Sequence, residues 1–144
     1  MTVAEIMSPH LITVGLDDSL EQIQELFHRH HFHHLMVATG GRLRGVISDR
    51  DVLRRVSPFV ATAGAQRRDE ATLKMHAHQI MTRRPITVPP ETDTLVAAAI
   101  IIEKGISCLP VVDEHEQLVG VLTWKDLLRS MVQAGQPAGP TPPS

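Results

Sequence analysis

The sequence predicts an α/β (α+β) fold made of two β-α-β-β-α repeats packed with pseudo-twofold symmetry, and three observations carry the prediction. First, Ile6-Met7-Ser8 returns as Ile80-Met81-Thr82, and Ile12-Thr13-Val14 as Ile86-Thr87-Val88, at an offset of 74. Second, Val37, Leu43, Gly45, Val46, Asp51, Leu53 and Arg54 meet identical residues at Val112, Leu118, Gly120, Val121, Asp126, Leu128 and Arg129, at an offset of 75. The change of register reads as one inserted residue just before a helix start, with the offset of 75 holding from Leu20 onward. Third, the pattern occurs only twice in 144 residues. A solenoid needs at least three repeats, and each copy alone is too small for a comfortable core, so the two copies must pack on each other around a central cleft.

The elements follow in order. Ile12 to Val14 reads as a short strand. Asp18 with Glu21 forms a capping box before Leu20, Ile23, Leu26 and Phe27, which recur at helical spacing. Leu35 to Val37 and Leu43 to Ile47 are strands flanking Thr39-Gly40-Gly41, a hairpin signal. A closing helix starts near Asp51 and runs through Val52, Leu53 and Val56. The second copy repeats this, with Asp93 or Thr94 capping a helix from Leu95, strands at Leu109 to Val112 and Leu118 to Leu122, and a helix from Asp126. Where the first helix carries Glu21, Gln22, Gln24 and Glu25, its counterpart carries Val96 and then Ala97-Ala98-Ala99-Ile100-Ile101-Ile102. A helix apolar all round is buried on more than one side. It contacts either the other repeat or a second copy of the chain in a homodimer.

These elements divide the chain into repeat 1 (1–57), a linker with a short helix (58–77), repeat 2 (78–132) and a Pro/Gly-rich tail (133–144) with nothing apolar to bury, read as disordered. Fourteen basic against sixteen acidic residues, with no Lys/Arg stripe, give no support for nucleic-acid binding. No apolar run approaches the roughly 20 residues of a membrane helix. The N-terminus lacks the basic and apolar regions of a signal peptide, so a cytoplasmic location is expected. Cys108 lies in the apolar run GISCLPVV and reads as a buried, inert thiol.

One motif carries chemistry. Gly-h-h-Ser/Thr-x-x-Asp, h being apolar, occurs as Gly45 to Asp51 and as Gly120 to Asp126, each ending a strand and opening a helix. Free N–H groups at a helix start favour an anion, the hydroxyl of Ser48 or Thr123 adds a donor, and the carboxylate of Asp51 or Asp126 offers two acceptors suited to ribose hydroxyls. Equally, the Ser/Thr and Asp could simply cap the helices that follow.

Gly105-Ile106-Ser107-Cys108-Leu109-Pro110-Val111-Val112-Asp113, followed by Leu118 to Leu128, resembles the CBS domain, and so does His34 to Val37 followed by Leu43 to Leu53. Together the two copies resemble a stand-alone tandem CBS pair, or Bateman module, from Ala4 to about Val132. The first copy departs in having Leu35 where the second has Pro110.

The resemblance implies a regulatory, non-catalytic module that requires no cofactor. It binds an adenosine-containing ligand such as AMP, ADP or ATP between its repeats, dimerises, and signals to a regulated protein that the sequence does not name. The resemblance also implies that Ser48, Asp51, Thr123 and Asp126 contact phosphate and ribose. An adenine slot is implied at Ile106, Ser107, His31 and Phe32, at Thr13 and Thr87 on the first strands, and at Val46 and Val121. Cross-repeat assembly would join Ser48 and Asp51 with Ile106 and Ser107, and Thr123 and Asp126 with His31 and Phe32. Arg50 and Lys125, beside the aspartates, are candidate phosphate partners.

His28-Arg29-His30-His31-Phe32-His33-His34 holds five of the nine histidines and invites a metal or pH-sensing reading. Against metal binding, the run straddles a helix end, and His33 and His34 should face opposite sides of a strand, so the five do not converge. No nucleophile elbow, G-x-x-x-x-G-K-[ST] loop or G-x-G-x-x-G fingerprint supports catalysis or hydride transfer.

Overall fold

A computed structural model describes residues 1–9, 12–55 and 71–135. In chain order its elements are α1 (Val3–Ile6), β1 (Thr13–Val14), α2 (Leu20–Arg29), β2 (His34–Thr39), β3 (Arg42–Ser48) and α3 (Asp49–Arg55). They continue with α4 (Ala77–Ile80), β4 (Thr82–Arg83), α5 (Thr94–Lys104), β5 (Cys108–Val112), β6 (Leu118–Thr123) and α6 (Trp124–Ala134). Residues 71–73 of the expected linker helix are helical. The rest of that linker before residue 71, Val56 and the tail beyond residue 135 lie outside the described residues.

Strands β1, β2 and β3 of the first repeat and β4 of the second form a four-stranded mixed sheet in the order β1-β2-β3-β4. In the second repeat β5 pairs antiparallel with β6, and single bridges stand where the flanking strands would be, Val88 to Val111 and Ser8 to Val121. The strand expected over Ile86 to Val88 is thus reduced to one bridge. Gly40 and Gly41, both left-handed at φ 58° and 81°, close the first hairpin as its two-residue turn.

Three local readings are corrected by hydrogen bonding. The cap of α2 is Ser19, whose hydroxyl accepts from the Gln22 N–H while the Gln22 amide oxygen accepts from the Ser19 N–H. Asp18 is held instead by the Gly15 N–H at 2.7 Å. The closing helices begin two residues before Asp51 and Asp126, at Asp49 and Trp124, because Ser48 and Thr123 are the caps.

Strand register also relocates the inserted residue. Leu35 faces Ile47 as Leu109 faces Leu122, and Val37 faces Gly45 as Val111 faces Gly120. The offset therefore stays at 74 through α2 and β2, and Ser19 matches Asp93, which caps α5 by accepting from the Leu95 N–H. The extra residue sits in the longer second hairpin loop, between Val112 and Leu118. Thus Phe32 matches Ile106, and His33 and His34 match Ser107 and Cys108.

The segment opening each repeat crosses to the other half. Val3 of α1 is fully buried in the second core with Val88, Ala97, Leu109, Val111 and Leu122, and its N–H donates to the Thr92 carbonyl. Ala77 and Ile80 of α4 join Val14, Leu20, Ile23, Leu35, Val37 and Ile47 in the first core. A third cluster, Met36, Val46 and Cys108, joins the two halves at the seam.

The crossing explains both motif glycines. A Cβ on Gly120 would stand 2.5 Å from the Met7 sulfur and 3.0 Å from the Ser8 carbonyl; one on Gly45 would stand 2.5 Å from the Met81 sulfur and 2.8 Å from the Thr82 carbonyl. Gly45→Ala and Gly120→Ala are each expected to cost about 1–3 kcal/mol from overpacking. Urea denaturation checks this, and an unchanged midpoint in both variants would mean that the crossing segments are not seated there.

Candidate functional site

A cleft of about 920 Å³ runs between the repeats and is lined from both of them. Its floor is the seam, where Met36, Val46, Cys108 and Val121 meet. Burial there pushes the Cys108 thiol up to about 12, so it is a protonated wall residue at neutral pH.

The two Ser/Thr-x-x-Asp motifs cap their helices, as the second sequence reading expects, and they also face this cleft. The Ser48 N–H donates to Asp51 Oδ2 at 2.9 Å and the Asp51 N–H donates to Ser48 Oγ at 3.1 Å. This leaves the Ser48 hydroxyl hydrogen and Asp51 Oδ1 uncommitted among the described residues. The second motif is more self-satisfied. Asp126 Oδ2 accepts from both the Thr123 N–H (2.9 Å) and hydroxyl (3.1 Å), while Oδ1 accepts from Arg129 at 3.3 Å.

Of the residues anticipated for the ligand, His31, Phe32, Val46, Ser48, Arg50, Asp51, Ile106, Ser107, Val121, Thr123, Lys125 and Asp126 all line the cleft. Thr13 and Thr87 do not. Adjacent residues of an extended chain point to opposite sides, so it is Ile12 and Ile86, one residue earlier, that reach the cleft. Thr13 borders a separate small depression with Asp18, Gln22 and Arg29.

His33 and His34 line the cleft and were not anticipated as ligand residues. Both reach it because β2 begins only at His34, so strand alternation does not govern His33. His33 Nδ1 lies 2.9 Å from Asp49 Oδ2, and His34 Nε2 lies 2.8 Å from Ser107 Oγ, a hydrogen bond across the seam. His34 also pairs with Ser48 across the sheet, so Ser107 comes within one side chain of the first motif. Burial holds the His34 imidazole below its usual range, against the opposing pull of Asp49, which favours the neutral ring at pH 7.

Placing the insertion in the hairpin would have aligned these histidines with Ser107 and Cys108. His30 stacks on Phe32 outside this group, and no three His, Cys, Asp or Glu among the described residues gather to hold a metal ion. Arg54, Arg84 and Trp124 complete the cleft wall.

Comparison with known proteins fits this architecture. The CBS domain family matches residues 3–58 and 77–133. The chain belongs to the CBS domain family. A CBS domain-containing protein of Dictyostelium discoideum is 30% identical over 141 residues, covering 96% of each chain. An inosine-5'-monophosphate dehydrogenase of Korarchaeum cryptofilum is 34% identical over 117 residues, 81% of this chain but only 21% of the enzyme.

Among solved structures, Arabidopsis thaliana CBSX2 in complex with AMP superposes with a TM-score of 0.80 at 28% identity, covering 94% of this chain and 98% of that one. The CBS domain pair of protein MJ0100, crystallised with 5'-methylthioadenosine and S-adenosyl-L-methionine, gives 0.76 at 25% identity, covering 93% and 98%. Among the described residues no helix is long and apolar enough to cross a membrane.

Proposed function

We propose that this CBS pair is a regulatory sensor that binds an adenosine-containing ligand, of the AMP, ADP or ATP type, in the cleft between its repeats. The observation that carries this is the first motif. Ser48 and Asp51 are fixed by their mutual capping bonds, yet keep a free hydroxyl donor and a free carboxylate oxygen facing the cleft, which suits phosphate and ribose. Ligands bound to CBSX2 and to the MJ0100 pair support the same chemical class.

The output runs through a homodimer or a partner protein. A ligand touching both repeats changes their arrangement only by its differential affinity for two states. The seam it would bias is small, comprising the Met36, Val46 and Cys108 cluster, the His34 to Ser107 bond, and the hairpin contact in which the Leu118 N–H donates to the Gly41 carbonyl. The helical face of repeat 2 exposes Leu95, Val96 and Ile102 of α5 beside Leu128, Met131 and Val132 of α6, and supplies the self-association surface.

Thermal unfolding against adenosine, AMP, ADP, ATP and S-adenosyl-L-methionine tests the sensor reading. A ligand at 100 times its Kd adds about 2.7 kcal/mol, which raises the midpoint by about 5–10 °C. A shift with none of the five, in nucleotide-free protein, overturns the sensor and leaves dimerisation as the function.

A further inference from the structure

Building on the reading of this cleft as an adenosine site, we infer that it prefers nucleotides with two or more phosphates, and that Arg84 reads the outer phosphates. The first argument is charge. Three carboxylates line the cleft, Asp49 beside His33, Asp51 bonded only by the uncharged Ser48 N–H, and Asp126 paired with Arg129. Five cations also line it, Arg129 with Asp126 and besides it Arg50, Arg54, Arg84 and Lys125, and among the described residues none of these last four makes an ion pair. In a chain of net charge −2, five cations against three carboxylates make a local excess of positive charge in a concave site, which attracts anions and repels a sulfonium.

The second argument is backbone conformation. Arg84 has φ 48°, in the left-handed region that side chains other than glycine avoid, and it stands directly before Pro85, where extended backbone is preferred. The surrounding structure therefore imposes that conformation, as happens at binding sites, and it turns the chain at the end of β4 where that strand pairs with β3 of the first repeat. Arg84 thus lines the same cleft as Arg50 and Arg54 of α3 and the open motif of Ser48 and Asp51, with Lys125 arriving from the other repeat. At the matching offset of 74 the first repeat carries His10, so the second half-site has no such arginine.

A single phosphate engages the Ser48 hydroxyl and one of the α3 cations, Arg50 or Arg54. The remaining ones stay unpaired until β- and γ-phosphates reach them. Guanidinium groups suit this role because they donate in a planar fork.

The test uses Trp124, the chain's single tryptophan, which lines the cleft. Its emission is followed at fixed ionic strength, without divalent cations, against adenosine, AMP, ADP, ATP and S-adenosyl-L-methionine, with equilibrium dialysis in parallel. Affinity is expected to rise from AMP to ATP by about tenfold or more. Arg84→Ala should bring ATP to within about threefold of AMP while AMP itself stays within about twofold, and Arg84→Lys should restore part of the preference.

Equal binding of AMP and ATP by the parent protein, or an ATP preference intact in Arg84→Ala, overturns the inference while leaving the adenosine site standing. Binding of none of the five by either readout overturns both.

Discussion

Asp51→Asn is expected to lower affinity for the adenosine ligand by about 10–100-fold, the equivalent of one or two charge-assisted hydrogen bonds at about 1.5–3 kcal/mol, while leaving the melting temperature of the free protein in place. The amide oxygen of Asn can still accept the Ser48 N–H that Asp51 Oδ2 accepts at 2.9 Å, so the helix start keeps its cap. What disappears is the charge and the second acceptor, Oδ1, which the fold does not use. Asp51→Ala would confuse the two roles by removing the capping bond as well.

Asp126→Asn should show a smaller loss, because both oxygens of Asp126 are already engaged by Thr123 and Arg129 and a ligand must first displace Arg129. Isothermal titration with AMP and ATP separates the cases. Unchanged affinity in both variants removes the motif from ligand binding, and a larger loss in Asp126→Asn reverses the assignment of the open half-site.

The repeat was legible because Gly-h-h-Ser/Thr-x-x-Asp and the apolar runs around it recur in identical order, and the motif's identities have a structural cause. Gly45 and Gly120 recur because Met81-Thr82 and Met7-Ser8 press against them, and Asp51 and Asp126 recur because each closes a capping pair. The crossing of α1 and α4 was not legible, since an amphipathic four-residue helix packs equally well in sequence terms on either half. The insertion was misplaced because α2 and α5 share almost no identities, so only strand pairing could show Ser19 and Asp93 to be equivalent caps. That one-residue error hid His33 and His34, whose partners Asp49 and Ser107 come from elsewhere in the chain. Arg84 was hidden for a similar reason. Its importance lies in a left-handed φ and an unpaired charge, neither of which composition or spacing reveals.

If the proposed dimer forms, Ile102→Glu is expected to convert it into a monomer without unfolding it. Leu95 and Ile102 of α5 are about four-fifths exposed, at 80% and 81%, and seven residues bring them to the same side of the helix. On the neighbouring α6, Leu128, Met131 and Val132 fall at i, i+3 and i+4 and are exposed as well. Five large apolar side chains on two packed helices form a patch of the kind that marks an interface. The matching helix of repeat 1 carries Glu21 and His28 where α5 has Leu95 and Ile102. The proposed twofold dimer would therefore join repeat 2 to repeat 2, with the same patch on both protomers.

Placing a carboxylate in such a patch, twice by symmetry, should weaken the dimer by at least about 30-fold. His28→Glu, at the matching position of repeat 1, should leave the dimer intact. Sedimentation velocity across a concentration series decides between them. Dissociation by Ile102→Glu alone fixes the interface on α5 and α6, whereas a parent protein that stays monomeric, or a dimer broken by His28→Glu instead, moves the output of the sensor to a different surface.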